Sequence, residues 1–392
     1  MDVSRRHLIA TMASTGSIGL VGCLGDDEQT LGGDGDGVLT ETPEEQADTV
    51  TETRLFEPDE FTCATPPSVD PFEGPPPTSQ RSLPLPACPD ELYDASRRGA
   101  GKDAIPSIED PVYEHADQVG GRLAGGDIVF GFEHDGDAFA YPQNILVYHE
   151  IVNDTFGSEQ LSITYCPLTG TAQGFVRGDT TFGVSGLLIN SNLVMYDRET
   201  DSYIPQILAT GITGTLLGAT LEEFNVVWTT WERWREVYPD TVVLTEETGY
   251  VRNYNHDPYG TYNPRGGYYA SSAIAFGSFV SDPEGVLPPK EVVIGSRTET
   301  GAFAVHKEVI ATHGVIEIDM DEMQYVMVYD DDLDTAYVYE NPEGAIIEEF
   351  DEGYRYNGEI YPADGLPLEP EVRFDAMWFA WLGYYPSTVL LH

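Results

Sequence analysis

Two twenty-residue stretches of this chain align without a gap. "DIVFGFEHDGDAFAYPQNIL" runs from Asp127 to Leu146, and "EVVIGSRTETGAFAVHKEVI" runs from Glu291 to Ile310. The offset of 164 residues continues without insertion to Phe175 and Tyr339. Identities along it include Gly131/Gly295, Ala138/Ala302, Phe139/Phe303, Ala140/Ala304, His149/His313, Gln160/Gln324, Tyr165/Tyr329, Thr171/Thr335 and Ala172/Ala336. A repeat of this kind constrains the fold more than local propensity does, because each copy must build the same supersecondary unit.

Each copy reads as β structure. Alternating apolar residues flank turn sequences such as His134-Asp135-Gly136-Asp137 and Thr300-Gly301, the pattern of hairpins. "TTFGVSGLLI", "TVVL" and "QYVMVY" add further strands. Helical signal is sparse: "PQNIL" offers a turn or two, and "TTWERWREVYPD" a short helix. In the latter Thr229 or Thr230 caps, Trp231 and Trp234 share a face, and Pro239 ends it. The expected fold is mainly β (α+β), with two related β-rich subdomains from an internal duplication and a few short helices. The first unit spans residues 91–286 and the second 287–392.

The chain before residue 91 is of another kind. Ser4-Arg5-Arg6 followed by an apolar run to Gly22 has the layout of a twin-arginine export signal. The run is too short and too rich in Gly, Ser and Thr to span a membrane comfortably. Leu20-Val21-Gly22-Cys23 resembles a lipoprotein-processing box, so residues 1–23 are expected to be the signal, with lipid on Cys23. An uncleaved anchor helix is the alternative. Either way the expected location is the outer face of the cytoplasmic membrane, with the membrane as partner through that lipid. Residues 24–60 read as an acidic solvated tether, and 61–90 as an extended Pro-rich collar. Cys63 and Cys88 lie in that exported stretch and are candidates for a disulfide.

The formal net charge of −48, with only 19 Lys and Arg, repels phosphate backbones and argues against nucleic-acid binding. Dense carboxylates keep a surface hydrated in concentrated salt, which also screens their self-repulsion. The composition therefore resembles that of haloarchaeal proteins, and reports habitat rather than substrate.

Removing Cys23, Cys63 and Cys88 leaves Cys166 as the odd cysteine of an exported protein. Reading 149–168 as a hairpin with a four-residue turn pairs Phe156 with Leu161, Ile151 with Cys166 and Asn153 with Thr164. His149, Asn153 and Cys166 then share a face, with Glu150 on the other. Imidazole beside thiol is the minimal arrangement for a cysteine nucleophile, with Asn153 to orient the ring. The same pair, with His256, is a candidate set for a soft metal, and plain core packing is a third reading. The second copy keeps His313 but has Asp330 where Cys166 stands, so Cys166 is the distinctive residue. Downstream, Ser185, Asn190, Ser191, Asp197, Arg198 and Gln206 sit among apolar residues, and Arg252 lies on an aromatic-rich loop. Together they are candidates for a polar-lined ligand pocket. No cofactor and no protein partner is indicated.

The order "GKDAIPSIEDPVY", "DAFAYP", "HEIVNDT", "TYCPLTGTA", "GVSGLLINSNLVMYDRET", "TTWERWREVYPDT", "DPYGTY" and "MWFAWLGYYP" resembles the family known as domain of unknown function 3179. The likeness covers about residues 100–392. It implies export in many relatives but supplies no established activity. Some relatives carry a second cysteine where Thr169 stands here, which sets aside a dithiol role for this chain. The leading expectation is a cell-surface lipoprotein with a ligand-binding or thiol-dependent site around Cys166. The alternatives are a non-catalytic envelope binding or scaffold protein, and a Cys/His metal protein.

Overall fold

The computed structural model describes residues 49–58, 60–63, 72, 74–320, 323–350 and 353–392. The twin-arginine segment, Cys23 and most of the tether lie outside them. Among the described residues no helix is long and apolar enough to cross a membrane.

The first half opens with a hairpin, β1 (Ile128–His134) and β2 (Asp137–Pro142). Its two-residue turn places Asp135 and Gly136 at positive φ, 53° and 85°, the geometry that Asp-Gly tolerates and that matches strand twist. Helix α1 (Gln143–His149) follows, ended by Glu150 in the left-handed region at φ 61°. A meander of β3 (Ile151–Phe156), β4 (Glu159–Cys166) and β5 (Thr171–Val176) comes next. A further hairpin, β6 (Phe182–Ile189) and β7 (Asn192–Asp197), turns through Asn190 and Ser191, both at positive φ. Then β8 (Val227–Thr230), α2 (Trp231–Val237) and β9 (Val242–Leu244) return to the first hairpin.

The second half follows the same order, with a small three-stranded sheet (Glu348–Phe350, Gly353–Tyr356 and Glu359–Tyr361) where the first has the β6–β7 hairpin. It runs β10 (Val292–Thr298), β11 (Gly301–His306), α3 (Lys307–His313), β12 (Val315–Met320), β13 (Met323–Asp330) and β14 (Thr335–Glu340). It closes with β15 (Arg373–Met377), α4 (Trp378–Tyr384) and β16 (Val389–Leu391). The strand orders match: β8-β1-β2-β9 in one sheet, β15-β10-β11-β16 in the other, with the last pair parallel in each.

The same contact locks both sheets. Trp234 lies flat against Gly131 and Trp381 against Gly295, so close that a Cβ on either glycine would overlap the indole. Each indole Nε1 donates to a threonine, Thr241 or Thr388, at 3.0 Å. Those hydroxyls donate on to the carbonyls of Ala138 (2.9 Å) and Ala302 (3.1 Å), tying helix, crossover and hairpin together. The two halves share one core: Phe130, Tyr165, Val293, Ala304, Phe374 and Trp381 belong to a single apolar cluster.

Two expectations for the N-terminal region change. The acidic tether does not run free to residue 60, because Glu52–Thr53 pairs with β16, whose edge accepts any backbone. The collar is pinned rather than merely extended. Cys63 and Cys88 form a disulfide, Thr78–Ser79 pairs with Thr220–Leu221, and Arg81 ion-pairs Glu371 at 2.8 Å.

Replacing Gly131 or Gly295 by Ala is expected to cost ~1–3 kcal/mol or more by overpacking the indole. Chemical denaturation measures it, and two near-equal losses are the expected result.

Candidate functional site

The residues nominated around Cys166 do not assemble into a dyad. The hairpin turn is Gly157-Ser158 alone, with Gly157 at φ 58°, so Phe156 pairs with Glu159 and Ile151 with Thr164 rather than Cys166. A slip of two residues preserves faces, and Asn153 stays on the face of Thr164 and Cys166. His149, however, ends α1 instead of starting the strand. Its Nδ1 donates to the Pro106 carbonyl at 2.8 Å, and its Nε2 accepts from Tyr254 Oη at 2.7 Å. A carbonyl can only accept, so a proton sits on Nδ1, and burial favours the neutral ring whose Nε2 accepts from Tyr254. Burial lowers its pKa from 6.5 to about 4; the Pro106 bond opposes that shift and Arg252 adds to it.

Cys166 is 1% exposed, and its thiol points to the Ser191 carbonyl at 3.7 Å. Tyr268 and Tyr384 lie close by. Burial first, and the cysteine second, push both phenols above their usual range. Asn153 serves the backbone, donating to Phe182 O (2.9 Å) and accepting from Phe182 N (3.0 Å) and Ser162 Oγ (2.7 Å).

The polar residues downstream are likewise structural. Asn190 and Ser191 form the β6–β7 turn and tie it to Gly383 and Gly277. Gln206 donates to Thr164 Oγ1 (2.8 Å), and Asp197 accepts from the backbone of Thr200 (2.7 Å). Ser185 bonds the Val194 carbonyl across the hairpin, and Arg198 pairs with Asp103 at 2.9 Å. Arg252 is on the loop beside the Tyr250 ring, and the His256 carbonyl accepts from Tyr148 Oη at 2.6 Å. Among the described residues no three His, Cys, Asp or Glu side chains gather to hold a metal.

A different site lies where the two halves meet, a cleft of about 260 Å³. Its walls come from equivalent positions of each half: Ile128 and Val292, Gly170 and Asp334, Trp228 and Asp375, Thr230 and Met377. Gly170 belongs to the turn that follows Cys166, and the Thr169 carbonyl in that turn accepts from Met377 N at 2.9 Å. Cys166 thus helps hold a wall of the cleft without lining it.

The cleft concentrates charge. Lys307 bridges Asp375 (3.2 Å) and Asp334 (3.4 Å). Lys290 lies 3.1 Å from the Tyr268 ring centroid and donates to the Tyr268 carbonyl; burial lowers its pKa to about 8. Oδ1 of Asp375 and Oγ1 of Thr229 are buried in its lining without a hydrogen-bond partner. Behind the aromatic wall, Gln143 Nε2 and Tyr269 Oη both donate to Asp257 Oδ2, at 2.8 and 2.9 Å. Burial raises the Asp257 carboxyl, and these bonds restrain the rise.

The model of the family described as "Protein of unknown function (DUF3179)" matches residues 102–388. The chain belongs to this family. No curated protein and no solved structure matches it. The DUF3179 region thus contains the cleft and every residue named as lining it. One sequence signal did mark this site. The whole chain has three lysines, Lys102, Lys290 and Lys307, and the last two line the cleft.

The neutral, buried His149 makes a pH prediction. Its folded pKa lies below its unfolded value, so the unfolded chain takes up the extra proton between pH 6.5 and about 4. Stability is fully present above pH 6.5 and falls by about 3 kcal/mol as pH drops through that window. Denaturant titrations of wild type and His149→Gln should show a flatter acid limb in the variant.

Proposed function

We propose that this protein is an exported, lipid-anchored binding protein of the cell envelope, with its ligand seat in the cleft between halves that arose by duplication. The observation that carries the reading is a cleft of about 260 Å³ lined by both halves, where the rings of Trp228 and Tyr262 stand with the ion cluster of Lys307, Asp334 and Asp375. A recess that sets aromatic rings beside a few convergent charged groups is the ordinary form of a ligand site. Thiol-dependent chemistry is the weaker reading, since Cys166 is buried and His149 is committed elsewhere.

Export is supported by Ser4-Arg5-Arg6 and the box ending at Cys23, and the Cys63–Cys88 disulfide suits an oxidising compartment. The excess of carboxylates supports a high-salt habitat. Duplication is supported by the fixed offset of 164 residues and by the repeated lock of Trp, Gly and Thr.

A thermal-shift panel of sugars, amino acids, amines and carboxylates at constant salt tests the seat. A ligand at 100 times its Kd stabilises by ~2.7 kcal/mol. The expected result is stabilisation by one chemical class, lost in the cleft-filling variant Ala311→Trp and kept in Cys166→Ala. The reverse pattern would move the site to Cys166. For the anchor, Cys23→Ser should shift the protein from the membrane fraction to the medium, and retention on the membrane would count against lipid on that thiol.

A further inference from the structure

The segment before the first hairpin crosses from one half to the other and back. Thr51 and His392 exchange backbone hydrogen bonds at 2.8 and 2.9 Å, and Glu52–Thr53 pairs with Leu390 and Leu391 of β16, in the second half. Thr78–Ser79 pairs with Thr220–Leu221 in the first half. Arg81 returns to the second, where its Nη2 donates to Glu371 Oε2 at 2.8 Å and to the Arg297 carbonyl at 3.4 Å. Leu92 then enters the core, and Arg97–Arg98 pairs with Leu187–Leu188 of β6, which ends the strap on the first half.

Each of these holds is weak alone. A two-residue ladder carries few hydrogen bonds, and the Arg81 side chain is 35% exposed, so solvent screens its ion pair. The Cys63–Cys88 disulfide joins the arm on the second half to the arm on the first, across a separation of 25 residues. Closing a loop of that length restricts the released chain and so favours the strap in place. The strap also meets the bonds between the halves. Arg297 Nη2 donates to Glu223 Oε1 at 2.6 Å, Arg373 N to Asn225 Oδ1 at 2.9 Å, and Arg373 Nη1 to the Val226 carbonyl at 2.8 Å. Arg81 bonds the carbonyl of that same Arg297, and the carbonyl of its partner Glu371 accepts from Asn225 Nδ2 at 3.3 Å. From this seam β10 and β15 lead to Val292, Asp375 and Met377 in the cleft lining.

We propose that the Cys63–Cys88 bridge makes this strap a redox-sensitive clamp on the two halves. Oxidised, it holds the seam closed; reduced, it frees the arm before Cys63 and loosens the seam, with each half intact. The opening step is exchange with a dithiol. One thiolate of the dithiol attacks a bridge sulfur to form a mixed disulfide, and its second thiol then displaces the remaining protein thiolate. Two electrons pass from the dithiol to the bridge, leaving two cysteine thiols and an oxidised dithiol. The clamp stands apart from the ligand reading of the cleft. Each half keeps its own Trp, Gly and Thr lock, built from residues outside the strap.

Backbone hydrogen exchange of the full chain, at fixed salt and well below its Tm, tests the clamp. Three samples are compared: the oxidised protein, the same protein in millimolar dithiothreitol, and the double variant Cys63→Ser/Cys88→Ser. In both opened samples Thr51 N, His392 N and Arg373 N should exchange ~10-fold faster or more. Trp231 N and Trp378 N, bonded to Asp127 O and Glu291 O, should keep their rates. Reoxidation should restore the slow exchange, and dithiothreitol should change nothing in the double variant. An unchanged rate at Arg373 N would overturn the clamp, whether or not Thr51 N speeds up. An equal rise at Trp231 N and Trp378 N would overturn it too, by showing a general loss of stability. If the double variant does not fold, the dithiothreitol sample and its recovery on reoxidation decide alone.

Discussion

The flat contact between an indole and a glycine is what the rest of this structure is arranged around. Trp234 on Gly131 and Trp381 on Gly295 bring each helix down onto its hairpin at a separation that any side chain on the strand would forbid. The indole N–H then needs a partner in a dry interior, and Thr241 or Thr388 provides it while also bonding a hairpin carbonyl. The helix starts are fixed in the same way. Trp231 N donates to Asp127 O and Trp378 N to Glu291 O, each at 2.8 Å. The residues flanking these bonds, Ile128, Trp228 to Thr230, Val292, Asp375 and Met377, line the cleft. The lock therefore positions the site as well as the fold.

Half of this architecture was legible because it is contiguous. From β1 to β5 and from β10 to β14 the strands, helix and turns keep one spacing, so a single ungapped comparison finds them. The remainder repeats too, as Trp231-x2-Trp234-x3-Tyr238-Pro239-x-Thr241-Val242 and Trp378-x2-Trp381-x3-Tyr385-Pro386-x-Thr388-Val389. It escapes the same comparison because its offset is shorter. The first half inserts the β6–β7 hairpin and its following loops before β8, whereas the second half reaches β15 by a shorter path. The short hairpin turn at Gly157 was missed for a different reason. Gly157 tolerates positive φ, which permits a two-residue turn where a four-residue turn also fits the apolar alternation.

The site was less legible because its residues are ordinary in their local surroundings. Thr229 reads as a helix cap, Asp375 as one more carboxylate among many, and Lys307 as the start of a short helix. Their meaning comes from strands separated by more than a hundred residues. Cys166 drew attention through its rarity, yet a thiol is also a small apolar group, and burial below Tyr268 and Tyr384 uses it as one. Lysine is rarer still in this chain, and two of its three lysines line the cleft. In a sequence with so few cations, where each one stands carries more information than where the carboxylates stand.

The two halves contribute differently to the cleft at positions that otherwise correspond. Where the first half has Trp228, Gly170 and Gln143, the second has Asp375, Asp334 and Lys307. One side therefore presents an aromatic ring and open backbone, and the other an ion cluster. Gln143 turns to Asp257 behind the aromatic wall, while Lys307 turns to Asp375 and Asp334 in the cleft itself. Two identical halves would give a cleft with the same chemistry on both walls, suited to a ligand with two like ends. The differences at these few positions instead give one wall of rings and open backbone and one of paired charges. Because the Trp, Gly and Thr lock is present in both halves, the lining differs between them while the frame that holds it is the same.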